Sequence, residues 1–453
     1  MRYLLTEADI ITGDKAGRGA IAIDGEKIAG VWYDTDDSKA ADQARAEFPD
    51  AEVMDLGGLS VIPGVVDIHV HFREPGMTHK GDIESESKAA LCGGVTSYVD
   101  MPNTNPPTVS RDRLEEKLSL ADGRSWSNYG FHIGATNSNL EELKQMPPEG
   151  RKAAGIKVFM GSSTGNMLVD DKPVLEQIFG MTDWPVLIHS EDEQIIRDNL
   201  AKAVAEYGED IPFRMHPQIR SSVACMKSTQ RALEMAMKLG TRLHILHVTT
   251  KMEVNMIEVA KRYNPSITAE TSANYLTFCD EDYDSLGAMV KCNPAVKSSA
   301  DRDALREAFR NGIIDTIGSD HAPHLVEEKE RPYTTCPSGM PSIRQSLQAV
   351  LNVASEAGIP LTRVVNAMSE RPAEIVGIKD RGFIKKGCFA DLVVLDPEAD
   401  YEVKESGYRC GWSPYTGRTL KGNISYVFLN GKIAVKDGEI IQDSPSGKRL
   451  EYR

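Results

Sequence analysis

Two histidines one residue apart, His69 and His71, are followed along the chain by Lys157, His189, His247 and Asp320. Each lies at or near the end of a short apolar run. Side chains two apart on a strand face the same way, so the first two imidazoles point to one side. Imidazole nitrogens and a carboxylate suit Zn2+ or a similar borderline cation. Each residue alone has an ordinary explanation: a strand-end histidine is commonly a hydrogen-bonded core residue. Lys157 alone reads as a barrel lysine paired with a carboxylate, and Asp320 as a helix cap. Their joint occurrence, on five of eight runs, points instead to one metal-binding rim.

The elements that must position them are eight apolar runs at 65–72, 95–103, 128–136, 155–160, 185–191, 242–248, 267–276 and 313–323. Helical stretches such as MKSTQRALEMAMKLG (226–240) lie between them. Strands alternating with helices predict an α/β fold, a (β/α)8 TIM-type barrel whose chemistry gathers where the strands end. A doubly wound sheet is the competing arrangement, but no GxGxxG follows an early strand. The two chain ends look alike. Asp24-Gly25 and Asn430-Gly431 each sit between a pair of alternating apolar runs, the signature of a tight hairpin. Both ends are therefore expected to build one small β-sandwich, residues 1–62 and 379–453, around a barrel spanning 63–378.

Composition narrows the function. The 453 residues carry a formal charge of −15, which argues against a broad nucleic-acid surface but leaves a small anionic substrate open. Seven scattered cysteines with no CxxC pair indicate neither a disulfide framework nor a zinc ribbon. No apolar run reaches membrane-spanning length and the N-terminus has no signal-like apolar stretch, so a soluble, reduced, cytoplasmic protein without membrane contact is expected.

The motifs carry a resemblance. PGVVDIHVHFREPG (63–76) resembles the opening signature of the amidohydrolase superfamily, its cyclic amidohydrolase branch, and most closely the dihydroorotases. The likeness continues through DMPNT (100–104), GIKVFM (155–160), LIHSE (187–191), HPQIRS (216–221), HILHVTT (244–250), KCNP (291–294), SDHAPH (319–324), PSGMPS (337–342) and KGCFADLVVLDP (386–397). It implies a site with two Zn2+ or similar divalent ions: His69, His71 and Asp320 on one, His189 and His247 on the other. Lys157 would bridge them as a carbamate formed with CO2. Its apolar neighbours Ile156, Val158 and Phe159 favour the neutral amine that must react first. A one-metal site, or a variant in which Asp170 or Asp171 contributes the bridge, is the alternative.

The resemblance also implies the reaction, reversible hydrolysis of dihydroorotate to N-carbamoyl-L-aspartate in pyrimidine biosynthesis. A metal-bridging hydroxide would attack the ring amide, with Asp320 as general base and then acid. The substrate's carboxylate would meet Arg73, Asn103 and His324, while Asn293 and the backbone near Gly339 would contact the ring. Allantoinases and hydantoinases share the metal ligands, so they stay as alternatives, as does a non-catalytic partner subunit. By analogy with the branch, a homo-oligomer is expected, and contact with aspartate transcarbamoylase is a further implied partnership. His132, His244, His216, His79 and His321 receive no ligand role. The segment 325–339 reads equally as a lid over the site or as a long surface loop.

Overall fold

Val65–Val70, Val95–Asp100, Ile156–Phe159 and Val186–His189 are buried at every position, as strands covered on both faces must be. The computed structural model describes residues 2–35, 39–161 and 167–453. In it these segments pair in parallel with Asn128–Phe131, Ile133–Gly134, Leu243–Ile245, Thr268–Ser272 and Thr316–Gly318. Helices alternate with them, including Ser222–Leu239 over the predicted helical stretch. Two hydrogen-bonded arcs result, one of three strands and one of six. The arcs close where Val70 bridges His321 and the His71 amide donates to the His321 carbonyl at 2.7 Å. This is an eight-stranded α/β barrel, as the spacing predicts, with its third strand divided at His132.

The strands are shorter than their apolar runs, and the endings of the seventh and eighth matter to the site. The seventh stops at Ser272 and turns into a helix, Ala273–Thr277. Asn274 is drawn inward there, donating to the Ser319 carbonyl and accepting from the Tyr415 hydroxyl. The eighth ends at Gly318, so Asp320 stands in the loop just beyond it.

The second layer is a sheet drawn from both ends of the chain. Ser60–Pro63 pairs antiparallel with Leu392–Glu402, placing Arg2–Ile11, Ala16–Asp24 and Lys27–Tyr33 on one side and Thr419–Leu429 and Lys432–Lys436 on the other. Its apolar faces enclose Leu5, Ile10, Ile21, Val61, Leu392 and Phe428. The Asn430-Gly431 hairpin has both residues at positive φ, as a type I′ turn requires. The first hairpin differs by one residue from the sequence expectation. Asp24 pairs with Lys27, so Gly25 and Glu26 make the turn and glycine alone takes the positive φ. Among the described residues no helix is long and apolar enough to cross a membrane.

A buried polar cluster rivets sheet to barrel. Asp391 receives Arg381, the Asn430 amide and the side chain of Asn128 at the start of the third barrel strand. Removing one partner of a buried ion pair strands the other charge. Asp391→Ala is therefore expected to cost about 3–5 kcal/mol, measurable as a lowered unfolding midpoint in guanidinium chloride.

Candidate active site

All eleven residues singled out from the sequence as ligands or contacts line one cavity of about 200 Å3 at the C-terminal end of the barrel. His69 and His71 turn inward together from the first strand. Their Nε2 atoms each lie 3.3 Å from Oδ1 of Asp320, and one ligand atom from each of the three falls within 4.8 Å of the others. Across the cavity, Nδ1 of His189 and Nε2 of His247 stand 2.9 Å apart. Lys157 lines the same cavity, almost wholly buried. Asp170 and Asp171 lie elsewhere. Asp170 accepts from Asn137, and Asp171 caps the helix Lys172–Phe179.

Electrostatics separate the roles. Burial pulls the Lys157 ammonium down to about 7, against the opposing pull of Asp320 and Glu270, so a large fraction is the neutral amine near neutral pH. Burial likewise lowers His71 to about 4 and lowers His189 and His247, keeping these rings in the neutral form that binds a cation. His69 moves the other way: burial disfavours its charge, but Asp320 and Glu270 together outweigh burial and raise it. Burial would raise Asp320, yet His69, His71 and Lys157 prevail and hold the carboxylate ionised.

Behind the inward-facing rings stands a layer of acceptors that the sequence pattern did not single out. Glu270 holds Nδ1 of His69 at 2.6 Å, and Glu191 holds Nε2 of His189 at 3.0 Å. Such carboxylates fix ring orientation and raise ligand basicity. Glu191 is in turn gripped by Arg220, which gives the HPQIRS segment a place in the site. His216 from that segment bonds the Tyr333 hydroxyl and the Cys292 carbonyl. Asn103, expected against substrate, also supports a ring, with Oδ1 2.8 Å from Nδ1 of His71. His244, without a ligand role on sequence grounds, bonds Thr268 and lies 3.6 Å from Glu270.

The donor set fits divalent cations. Imidazole nitrogens and a carboxylate converge from four strand ends, the outer nitrogens of His69, His71 and His189 are held by hydrogen-bond partners, and a buried amine shares the lining. Three residues of this rim, Arg73, His247 and Asp320, have positive φ (70°, 38° and 48°). Backbone of that kind costs about 1 kcal/mol or more per residue and is retained where surrounding structure demands it.

The opposite wall is cationic. Arg73 is 5% exposed, and its Nε donates to the Pro323 carbonyl at 3.0 Å. Its Nη2 lies 3.0 Å from Nε2 of His324, and among the described residues no carboxylate stands within ion-pair distance. The 325–339 segment completes this wall and is tied down from within. Buried Lys329 donates to the carbonyls of Lys291, Pro337 and Gly339, and Lys291 to those of Tyr333 and Cys336. From the C-terminal region of the chain, Trp412 donates to the His324 carbonyl at 2.7 Å.

This geometry has relatives. Residues 60–434 match the amidohydrolase family. The chain belongs to that family. It is 33% identical over 419 residues to a dihydroorotase of Methanosarcina acetivorans, covering 88% of each chain. It is 30% identical to an L-hydantoinase of Paenarthrobacter aurescens, covering 99% of this amidohydrolase and 95% of the relative. Its fold is similar to that of a solved L-hydantoinase (dihydropyrimidinase) from Arthrobacter aurescens, with a TM-score of 0.89, 28% identity and 99% of each chain covered.

Proposed function

We propose that this amidohydrolase is a dihydroorotase, opening (S)-dihydroorotate to N-carbamoyl-L-aspartate and closing it in the reverse, pyrimidine-forming direction. The observation that carries the reading is Arg73, a buried guanidinium lining the cavity that makes no ion pair with a carboxylate among the described residues, Asp100, Asp320 and Glu328 acting on it only from farther off. A buried unpaired charge is costly, so the cavity is built for an anionic ligand. Dihydroorotate carries a carboxylate on its ring; hydantoin and allantoin do not. His324 and Asn103 flank the place where that carboxylate would lie.

Two divalent cations, one on His69, His71 and Asp320 and one on His189 and His247, would supply carbonyl polarisation and an acidified water. Lys157 would help to hold them as a carbamate: its neutral amine would add to CO2, the N–C bond forming as one C=O π pair shifts to oxygen, and the proton released from nitrogen would pass to water. Asp320 faces the reacting centre with its carboxylate ionised, placed to take a proton from the attacking water and return it to the departing ring nitrogen. Arg73 and His324 would orient the ring through its carboxylate, and Asn293, whose buried Oδ1 has no hydrogen-bond partner among the described residues, would contact the ring.

Hydantoinase-type hydrolysis is the second reading, favoured by the near-complete structural likeness to an L-hydantoinase. Turnover of L-dihydroorotate, hydantoin and allantoin by the purified protein separates the two. We expect L-dihydroorotate to be consumed with the highest kcat/KM, and turnover confined to hydantoin or allantoin would overturn the assignment. Chelation should abolish that activity, and Zn2+ with bicarbonate should restore it more fully than Zn2+ alone, because the carbamate must also re-form.

A further inference from the structure

Lys80 lies outside the cavity lining but bonds a residue within it. Two consecutive backbone bonds hold it beside the site: the Met77 amide donates to the Arg73 carbonyl, and the Lys80 amide to the Met77 carbonyl. The side chain is 12% exposed, and its Nζ lies 3.0 Å from Nδ1 of His324 and 2.8 Å from Glu328. An ammonium only donates, so Nδ1 must accept. Burial holds His324 well below its ordinary pKa, so the ring is neutral and its single proton belongs on Nε2.

That proton lets Nε2–H donate to the Ser338 carbonyl, 3.1 Å from Nε2, and sets it beside Nη2–H of Arg73, 3.0 Å away. The guanidinium also only donates, so neither group satisfies the other. The Arg73 Nη2–H is then left without an acceptor on the ring, and a ligand carboxylate can take it with one oxygen while sharing the Nε2–H with the Ser338 carbonyl through the other. The other tautomer would undo this. With the proton on Nδ1, the ring would face Glu328, whose Oε2 is 3.7 Å away, and Nε2 would accept from Arg73, closing the pair on itself.

We propose that Lys80 is a positioning residue that fixes His324 as the Nε2–H tautomer and so opens the Arg73–His324 pair as a clamp for a ligand carboxylate. Lys80 thereby sets specificity for an anionic ring without touching it. The inference rests on the reading of Arg73 as the carboxylate site, but its first test does not depend on which substrate the enzyme turns over.

Long-range 15N spectra of the metal-loaded protein labelled at histidine, with the His324 signal assigned by its loss in His324→Gln, report the tautomer directly. An Nε2–H ring is expected; an Nδ1–H ring in the wild-type protein would overturn the inference. In Lys80→Met the tautomer should switch. KM for L-dihydroorotate should rise about tenfold, the worth of one charge-assisted hydrogen bond, while kcat falls by less than about threefold. Lys80→Arg should recover most of that KM, since it restores a donor to Nδ1. A KM unchanged in Lys80→Met, or equal losses in kcat and KM, would overturn the positioning role. Should the wild-type protein fail to turn over L-dihydroorotate, the proposed function falls, and the tautomer still decides the role of Lys80.

Discussion

Asp320→Asn is expected to keep metal content near that of the wild type while lowering kcat by about a thousandfold, the middle of the range that one general acid–base group contributes. The amide retains an oxygen at the position of Oδ1, 3.3 Å from both His69 and His71, so ligation is largely kept. What is lost is a carboxylate that can hold a proton between attack on the ring carbonyl and departure of the ring nitrogen. Metal analysis beside steady-state rates distinguishes the two effects. A variant that keeps near-wild-type kcat would remove Asp320 from the proton path, whereas one that loses metal in proportion to rate would reduce it to a ligand.

Arg73→Met should act on a different quantity. The thioether approximates the volume of the buried stem but removes the charge and the donors beside His324. We expect kcat/KM for L-dihydroorotate to fall about a hundredfold, most of it in KM, with metal content unaltered. A ring lacking the carboxylate, such as hydantoin, should be handled no worse by the variant than by the wild type. Equal losses on both substrates would mean that Arg73 shapes the cavity and does not read the ligand. Because Arg73 has positive φ, Arg73→Lys is an informative companion: it keeps the backbone demand and a charge but loses the planar fork.

The candidate metal ligands were legible because such groups must lie at strand ends with their side chains inward, and a period of two places His69 and His71 there without ambiguity. The barrel was legible for the same reason, since strands covered on both faces must be apolar throughout. The supporting groups were harder to see. Glu191 follows His189 by two residues and so shares its direction, a signal present in LIHSE. Glu270 is an acidic residue inside the buried strand Thr268–Ser272, where only a charged or hydrogen-bonded partner could retain it. Its partner, His69, is distant in sequence, and no local pattern links them. Lys80, Lys291 and Lys329 were opaque: a lysine in a polar loop reads as solvated, and only tertiary packing turns Lys329 inward onto three carbonyls. The same packing makes 325–339 a fixed wall at this face of the cavity.

The strand Ser60–Pro63 is flanked on one side by its own N-terminal neighbour and on the other by Leu392–Glu402. A ribosome must therefore deliver the whole barrel before that second flank exists, an interval on the order of tens of seconds at ordinary elongation rates. Throughout it, the nascent N-terminal strands present an open edge and an uncovered apolar face. Completion of this sheet is thus timed by the last strands of the chain to be made.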